Sequence, residues 1–173
     1  MKPNFYNNPL KVIWKSKKVL MPKYLTFIWL IILITSFVGS SYFNFLDFTS
    51  YKMENYFALS STGLTLTLAL FVAGKNAFNE EDLKILAEYT NDSGVTGQAL
   101  IEFLGPYVFT ATLFLMTGII SLFTPFIKLE LSYKCVISLK ILSINILVLG
   151  LLSLFNLVIT ILNDVYAAAH RKS

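Results

Sequence analysis

Cysteine, histidine and arginine are almost missing from this chain, since Cys135, His170 and Arg171 are the single examples among 173 residues. A lone cysteine excludes an intrachain disulfide and a metal site built from several thiolates. A lone histidine near the C-terminus leaves no Ser/His/Asp or Cys/His arrangement, and no phosphate-binding loop of the Walker type occurs. We therefore expect no catalytic residues, no metal and no cofactor, which makes an enzyme the least favoured class.

Charged residues are also scarce. They make up 14% of the chain against 55% hydrophobic residues, whereas a soluble domain carries about 25% charged residues. The mean hydropathy is +0.66, and the single core of a soluble chain this long cannot bury so much apolar surface. Because lysine rather than arginine supplies the positive charge, we expect no nucleic-acid partner and favour contact with anionic lipid.

Four stretches free of charge are long enough to cross a membrane, since a transmembrane helix needs about 20 apolar residues. They cover residues 24–46, 55–74, 103–127 and 141–163. The sequence thus predicts an all-α, polytopic membrane protein whose four transmembrane helices form an antiparallel bundle, with an added N-terminal amphipathic helix and a short cytoplasmic helix. Val38-Gly39-Ser40 resembles a signal-peptide cleavage site, but the long basic region before the first span favours a retained anchor.

Basic residues are distributed unevenly between the two sides of the predicted membrane. With the N-terminus inside, ten basic residues are cytoplasmic and four are external. The positive-inside rule then assigns both termini and loop 75–102 to the cytoplasm and Cys135 to the outer side. We expect a basic N-terminal segment 1–23, a transmembrane domain 24–163 and a cytoplasmic tail 164–173.

Residues 9–21 have the pattern of a basic amphipathic helix, which Pro22 is expected to end. Lysines gather on one face and apolar residues on another, as in helices that lie on anionic lipid. The expected lipid-surface residues are Lys11, Trp14, Lys15 and Lys18. The alternative is that these lysines serve only as a topology signal.

The cytoplasmic loop contains a second predicted helix, which begins after an N-cap at Asn79 and runs to about Thr90, before residues 91–94 end it. Phe78 and Leu83 have the spacing of a hydrophobic staple. This acidic helix is the expected docking element for a cytoplasmic protein or for the basic N-terminal helix. Its candidate contact residues are Glu80, Glu81, Asp82, Leu83 and Leu86. The alternative is a solvated connector.

Polar side chains form stripes along spans two to four, and helices in lipid associate through small residues and interhelical hydrogen bonds. We predict that the stripes face one another and line the bundle or, if several copies assemble, a pore. The predicted lining residues are Ser61, Thr65, Thr110, Thr117, Asn145 and Asn156. Gly105-Pro106 is expected to bend or break the first turn of span three. Glu102 beside it is either a wet interfacial acid or a functional site paired with a lysine such as Lys75.

Two functions remain open at this point. The protein is either an oligomeric membrane effector or pore-forming subunit gated by a cytoplasmic partner, or a membrane anchor or scaffold that recruits such a partner. An accessory subunit of a transporter is a further alternative. No ionisable residue lies deep in the predicted spans, which weakens the case for an ion-coupled carrier.

In size, span count, cytoplasmic termini and lack of enzymatic residues, the whole chain resembles the small four-span membrane subunits of bacterial anti-phage defence systems, such as the membrane component of Kiwa-type systems. Its lysine-, asparagine- and phenylalanine-rich composition also suits an AT-rich bacterium. No family motif is matched, so no functional residue is carried over. The resemblance implies a partner-gated, homo-oligomeric protein of the bacterial cell membrane that acts in antiviral defence.

Overall fold

The structure, a computed structural model, describes residues 8–41, 43, 45–48, 50–78, 80–90, 96–127 and 132–171. These residues form helices and connecting segments, with no strand among them and one isolated antiparallel bridge, between Thr90 and Thr96. The six α-helices are α1 (Pro9–Lys15), α2 (Lys23–Ser41), α3 (Phe57–Ala77), α4 (Glu80–Glu88), α5 (Gln98–Phe123) and α6 (Tyr133–Arg171). A 3₁₀ turn, Met53–Tyr56, precedes α3, and another, Thr124–Phe126, follows α5.

Four of the helices are long and apolar enough to cross a membrane, and their candidate spans are Lys23–Ser40, Met53–Asn76, Gln98–Phe126 and Tyr133–Ala167. At 1.5 Å per residue the 19 residues of α2 extend roughly 28 Å, close to the thickness of a bilayer core. The 39 residues of α6 extend roughly 58 Å and exceed that thickness on their own. The all-helical, multi-pass membrane class predicted from the sequence is confirmed.

The predicted end of the first span, at residue 46, was wrong, because α2 ends at Ser41. The amide of Phe43 donates to the carbonyl of Val38, and the amide of Phe45 donates to the carbonyl of Gly39. A side chain at Gly39 would come within 2.7 Å of the Phe45 ring, so the missing side chain admits that ring. The apolar residues after Ser41 therefore fold back on the helix instead of extending it.

The third and fourth spans are longer than predicted. Helix α5 begins at Gln98 rather than at residue 103, because the Gln98 side chain donates to the Glu102 carboxylate at 2.8 Å and keeps this acid within the helix. Pro106 is then an interior residue of α5, so it does not break the helix, and the alternative that it bends the helix stays a prediction. Helix α6 likewise continues beyond the predicted end of span four, at residue 163, to Arg171.

Helix α1 is shorter than the predicted helix 9–21. The Asn8 side chain caps it by accepting from the Leu10 amide at 2.9 Å. At its other end the Ser16 hydroxyl donates to the Val12 carbonyl at 2.8 Å, and the helix stops at Lys15. Pro22 therefore does not end this helix.

The predicted bounds of the cytoplasmic helix also need correction at one end. Helix α4 ends at Glu88, two residues before the predicted end. Gly97 follows in the left-handed region, with φ at 77°, and its amide donates to the Tyr89 carbonyl at 2.9 Å. The predicted N-cap Asn79 and the predicted stop at residues 91–94 lie outside the described residues.

The chain divides into two compact units. Unit 1 contains residues 1–22, 66–110 and 153–173, and unit 2 contains residues 23–65 and 111–152. The three boundaries after residue 23 all fall inside helices, so α3, α5 and α6 each contribute one part to each unit. Helix α2 belongs to unit 2, whereas α1 and α4 belong to unit 1.

Each unit has its own apolar centre. In unit 1, Tyr107, Leu157 and Ile161 are buried together, and Tyr107 meets the ring of Phe71 edge-on at 5.6 Å. In unit 2 the most buried large side chain is Phe114, which is 1% exposed. Its ring fills the space left by the missing side chain of Gly63.

Candidate functional site

Interhelical hydrogen bonds connect polar side chains of the spans within each unit. In unit 1, Thr110 of α5 and Ser153 of α6 lie 2.6 Å apart, and neither side chain is exposed. In unit 2, the Ser60 hydroxyl of α3 donates to that of Thr117 of α5 at 3.1 Å. Thr117 in turn donates to main-chain carbonyls of its own helix. These hydroxyls therefore hold helices together and are closed to water.

Asn145 of α6 is the polar centre of unit 2. It is 1% exposed, and its amide nitrogen donates to the Ile141 carbonyl at 2.8 Å. Its main-chain carbonyl accepts from the indole of Trp29 on α2, at 3.0 Å. The side-chain oxygen has no partner within the described residues. Asn145 thus links α6 to the first span through its backbone rather than through its side chain.

The six predicted lining residues fall into two groups. Thr110, Thr117, Asn145 and Asn156 are buried inside their units. Ser61 is half-buried and Thr65 is exposed, and the Thr65 hydroxyl donates to the Ser61 carbonyl one turn earlier at 2.9 Å. That Ser61 and Thr65 line the bundle or a pore stays a prediction, because a bond within α3 does not exclude a contact with another copy.

Sequence reasoning omitted three residues that make these contacts. Ser60 and Ser153 are the partners of predicted residues, and Trp29 is the donor to α6. Ser60 directly precedes the predicted Ser61, so the face of α3 that contacts α5 is shifted by one residue from the predicted face. No signal in the sequence pairs Trp29 with a residue that lies 116 positions later.

Helix α1 docks on the start of α5 and leaves its basic residues exposed. Ser16 is fully buried, and any side chain at Gly105 would overlap it. The Gln98 side chain also donates to the Lys15 carbonyl at 3.3 Å. The four predicted lipid-surface side chains are all exposed: Lys11, Trp14, Lys15 and Lys18. Trp14 is 72% exposed and lies under the Lys17 ammonium, 4.9 Å from the ring centre.

Helix α4 has one exposed apolar pair that the sequence reasoning missed. Ile85 is 64% exposed, and Tyr89, one turn later, is 55% exposed. Among the predicted docking residues, Glu80 and Glu81 are exposed, whereas Asp82, Leu83 and Leu86 are half-buried. The exposed residues here are thus Glu80, Glu81, Lys84, Ile85 and Glu88 of α4, with Tyr89 directly after its end, and the two predicted leucines are half-buried.

Unit 1 contains a cavity of about 390 Å³, which we call the unit 1 cavity. Its polar lining comes from Lys18, Glu102, Asn156 and Thr160, and its apolar lining includes Phe103. Asn156 is 8% exposed, and within the described residues its side-chain amide makes no hydrogen bond. The Glu102 carboxylate therefore accepts a hydrogen bond from the Gln98 side chain. The lysine that lines the same cavity is Lys18 and not the predicted Lys75.

Unit 2 contains a larger and mostly apolar cavity of about 650 Å³, formed by the end of α5 and the start of α6. Lys140 lines it, and its ammonium donates to the Phe48 carbonyl at 3.1 Å. This lysine is therefore bonded to the segment between α2 and α3, and does not depend on lipid headgroups alone. The rest of the lining is dominated by side chains such as Ile119 and Leu142, which suit lipid tails.

Among the described residues no group of three or more His, Cys, Asp or Glu side chains could hold a metal ion. Cys135 is a free and exposed thiol on the first turn of α6. Comparisons of the chain with protein-family models, with curated proteins and with solved structures gave no match. The resemblance to membrane subunits of anti-phage systems accordingly stays a prediction.

Proposed function

We propose that this chain is a non-enzymatic scaffold of the bacterial cell membrane, which docks a cytoplasmic protein through α4 and rests on anionic lipid through α1. The observation that carries this proposal is the burial of polar side chains on α5 and α6. Thr110, Thr117 and Asn145 are all at most 5% exposed, and Thr110 and Thr117 are bonded within their own unit.

A conducting path needs polar side chains that face water. Hydroxyls that already bond across helices gain little by turning to a pore, and breaking such a bond in a bilayer costs about 0.6 kcal/mol or more. The exposed residues of the candidate spans are mostly apolar, as lipid contact requires, although Thr62 and Thr65 of α3 are also exposed. The outward residues of α2, for example, include Phe27, Ile31 and Ile34. We therefore favour the scaffold over the pore-forming effector.

The proposed topology is an antiparallel four-helix bundle with both termini in the cytoplasm. Unit 1 gathers the N-terminal segment, the connection between α3 and α5, and the C-terminal end of α6. These are the three segments that the charge distribution assigns to the cytoplasm. The agreement between the contact-based division and the charge-based assignment supports this orientation.

The proposed docking surface is the outward face of α4, formed by Glu80, Glu81, Ile85 and Tyr89. An exposed aromatic residue beside an aliphatic one is the composition that interface centres favour. The flanking carboxylates would select a basic partner and raise its association rate. Helix α1 contributes lysines and Trp14 at the membrane surface, a combination that suits anionic headgroups and the interfacial layer.

Site-specific photocrosslinking in the native host tests the docking proposal. A photoreactive residue at Ile85 is expected to give a discrete protein adduct in the cytoplasm. The matched control carries the same group at Ile34, an exposed residue of α2 that should meet only lipid. Adding Glu80→Lys and Glu81→Lys should lower the yield at position 85 about fivefold, from the loss of two surface charge contacts. Equal adducts at both positions would contradict the proposal.

Dye release from liposomes separates the scaffold from the pore-forming effector. The purified chain is expected to leave the dye inside at every protein-to-lipid ratio, because Thr110, Thr117 and Asn145 are buried and so do not line a water-filled path. Release that rises with the amount of protein would favour the effector and its role in antiviral defence. Homo-oligomer formation and an anti-phage role stay predictions that follow from the resemblance.

A further inference from the structure

We propose that the unit 1 cavity binds the headgroup of a phospholipid that carries a primary ammonium group, as phosphatidylethanolamine does. This inference is independent of the docking proposal and concerns a different surface. The cavity volume of about 390 Å³ falls within the range of small-molecule sites, about 300–1,000 Å³.

The first argument is an unused amide. Asn156 is 8% exposed and lines the cavity, yet its side chain makes no hydrogen bond within the described residues. The Thr160 hydroxyl reaches only the main-chain carbonyl of Asn156, at 2.9 Å. A polar group that is shielded from bulk water is stabilised when it gains a hydrogen-bond partner. An amide placed at the wall of a cavity is therefore explained by a polar ligand.

The second argument is the acid on the opposite helix. One carboxylate oxygen of Glu102 accepts from Gln98 at 2.8 Å, and Glu102 lines the cavity. A carboxylate has about four lone-pair sites, so Glu102 can accept further hydrogen bonds. Together with the side-chain oxygen of Asn156, it suits a ligand that donates several hydrogen bonds.

The third argument is the charge at the rim. Lys18 is exposed and lines the same cavity, so a cationic group and an anionic group share one site. An ammonium near Glu102 and a phosphate near Lys18 would satisfy both. An anionic headgroup would meet the Glu102 carboxylate unfavourably, and a trimethylated ammonium could donate no hydrogen bond to it.

The position along the chain fits a headgroup as well. Glu102 is four residues from the first residue of α5, about 6 Å along the helix axis. The headgroup layer on each side of a bilayer is about 5–8 Å thick. Val19, Met21 and Phe103 extend the lining with apolar surface, which suits the glycerol and the first carbons of the acyl chains.

Native mass spectrometry of the delipidated full chain in detergent tests this proposal. Phosphatidylethanolamine, phosphatidylcholine and phosphatidylglycerol with identical acyl chains are titrated separately, and soluble ethanolamine phosphate forms a fourth arm. We expect phosphatidylethanolamine to bind about tenfold more tightly than phosphatidylcholine, the effect of one hydrogen bond between charged groups. Equal binding of these two lipids would overturn the proposal, as would a preference for phosphatidylglycerol that persists in a Lys11→Gln, Lys15→Gln variant, which lacks two charges of the proposed anionic-lipid surface. Soluble ethanolamine phosphate that binds as tightly as the lipid would overturn the assignment to a lipid.

Two variants and one control locate the site. Glu102→Gln and Asn156→Leu should each reduce the preference for phosphatidylethanolamine to about twofold or less, because each removes acceptors of the ammonium. Glu54→Gln changes an exposed acid of unit 2 and should keep the full preference. A Glu102→Gln protein that folds and still shows the tenfold preference would contradict the site. The comparison of lipids on the unchanged chain keeps the test decisive if a variant fails to fold.

Discussion

Substitution of Gly63 by alanine tests the packing of unit 2 with a single methyl group. A side chain at Gly63 on α3 would overlap the ring of Phe114 on α5, which is 1% exposed. The ring has little room to retreat, since a side chain added at Gly150 would lie only 3.3 Å from the same ring. Gly63→Ala must therefore displace a buried aromatic ring or separate two helices.

The expected magnitude follows from two opposing effects. Overpacking a well-filled core costs about 1–3 kcal/mol, whereas replacing glycine by alanine inside a helix gains up to about 1 kcal/mol. Gly118→Ala is the matched control, because its added atom would lie 3.5 Å from Ser60, an ordinary contact distance. We expect Gly63→Ala to lower the free energy of unfolding by about 1–2 kcal/mol and Gly118→Ala to leave it unchanged or to raise it slightly.

The assay is thermal unfolding of the purified variants in detergent, followed by size-exclusion fluorescence. For a chain of this length a change of 1 kcal/mol moves Tm by about 2–4 °C, so Gly63→Ala should unfold about 2–8 °C below Gly118→Ala. Adding Phe114→Leu to Gly63→Ala should recover part of the loss, because the smaller side chain makes room for the new methyl group. Equal Tm values for the two alanine variants would refute the packing described for Phe114.

Three further predictions address other contacts. A double-mutant cycle of Thr110→Val and Ser153→Ala should give a coupling of about 0.5–1.5 kcal/mol in unfolding experiments, and additive effects would contradict their hydrogen bond. In a Trp29→Phe background, Trp14 fluorescence should be quenched most by lipids brominated close to the headgroup, whereas quenching only by deep bromines or by aqueous iodide would contradict the interfacial helix. Burial raises the pKa of Tyr51 above its ordinary value of 10.0, so the native state holds this proton more tightly than the unfolded chain. The free energy of unfolding should therefore fall as the pH rises above about 10. For the Tyr51→Phe variant this free energy should fall less steeply, and identical pH profiles for the two proteins would count against the buried phenol.

The membrane class and the number of long helices followed from composition and from runs of apolar residues, because those properties depend on local sequence. The ends of the helices could not be predicted from the same properties. Glu102 was excluded from span three on account of its charge, yet an amide four residues earlier keeps it helical. The residues after Ser41 were included in span one on account of their apolarity, yet Gly39 allows them to fold back. Both errors arose where a side-chain contact outweighed hydropathy.

The candidate site was predicted only in part for a similar reason. Small and polar residues indicated that the spans contact one another, and Thr110 and Thr117 do make interhelical bonds. Their periodicity could not distinguish Ser60 from Ser61, because neighbouring residues of a helix differ by only 100° in direction. The role of Asn156 was also invisible in the sequence, since a cavity exists only once three separate segments have come together.

The central claim is that the polar side chains at the helix contacts, such as Thr110 and Thr117, face the protein interior and no water-filled path. Cysteine accessibility in reconstituted membranes tests it most directly, with Thr110→Cys and Thr117→Cys introduced separately into a Cys135→Ser chain. A charged methanethiosulfonate reagent, present on both sides of the bilayer, should leave both new thiols unmodified while it modifies Cys135 of the unchanged chain, which is exposed. Modification of either new thiol at a rate comparable to that of Cys135 would contradict the scaffold and indicate an aqueous pore.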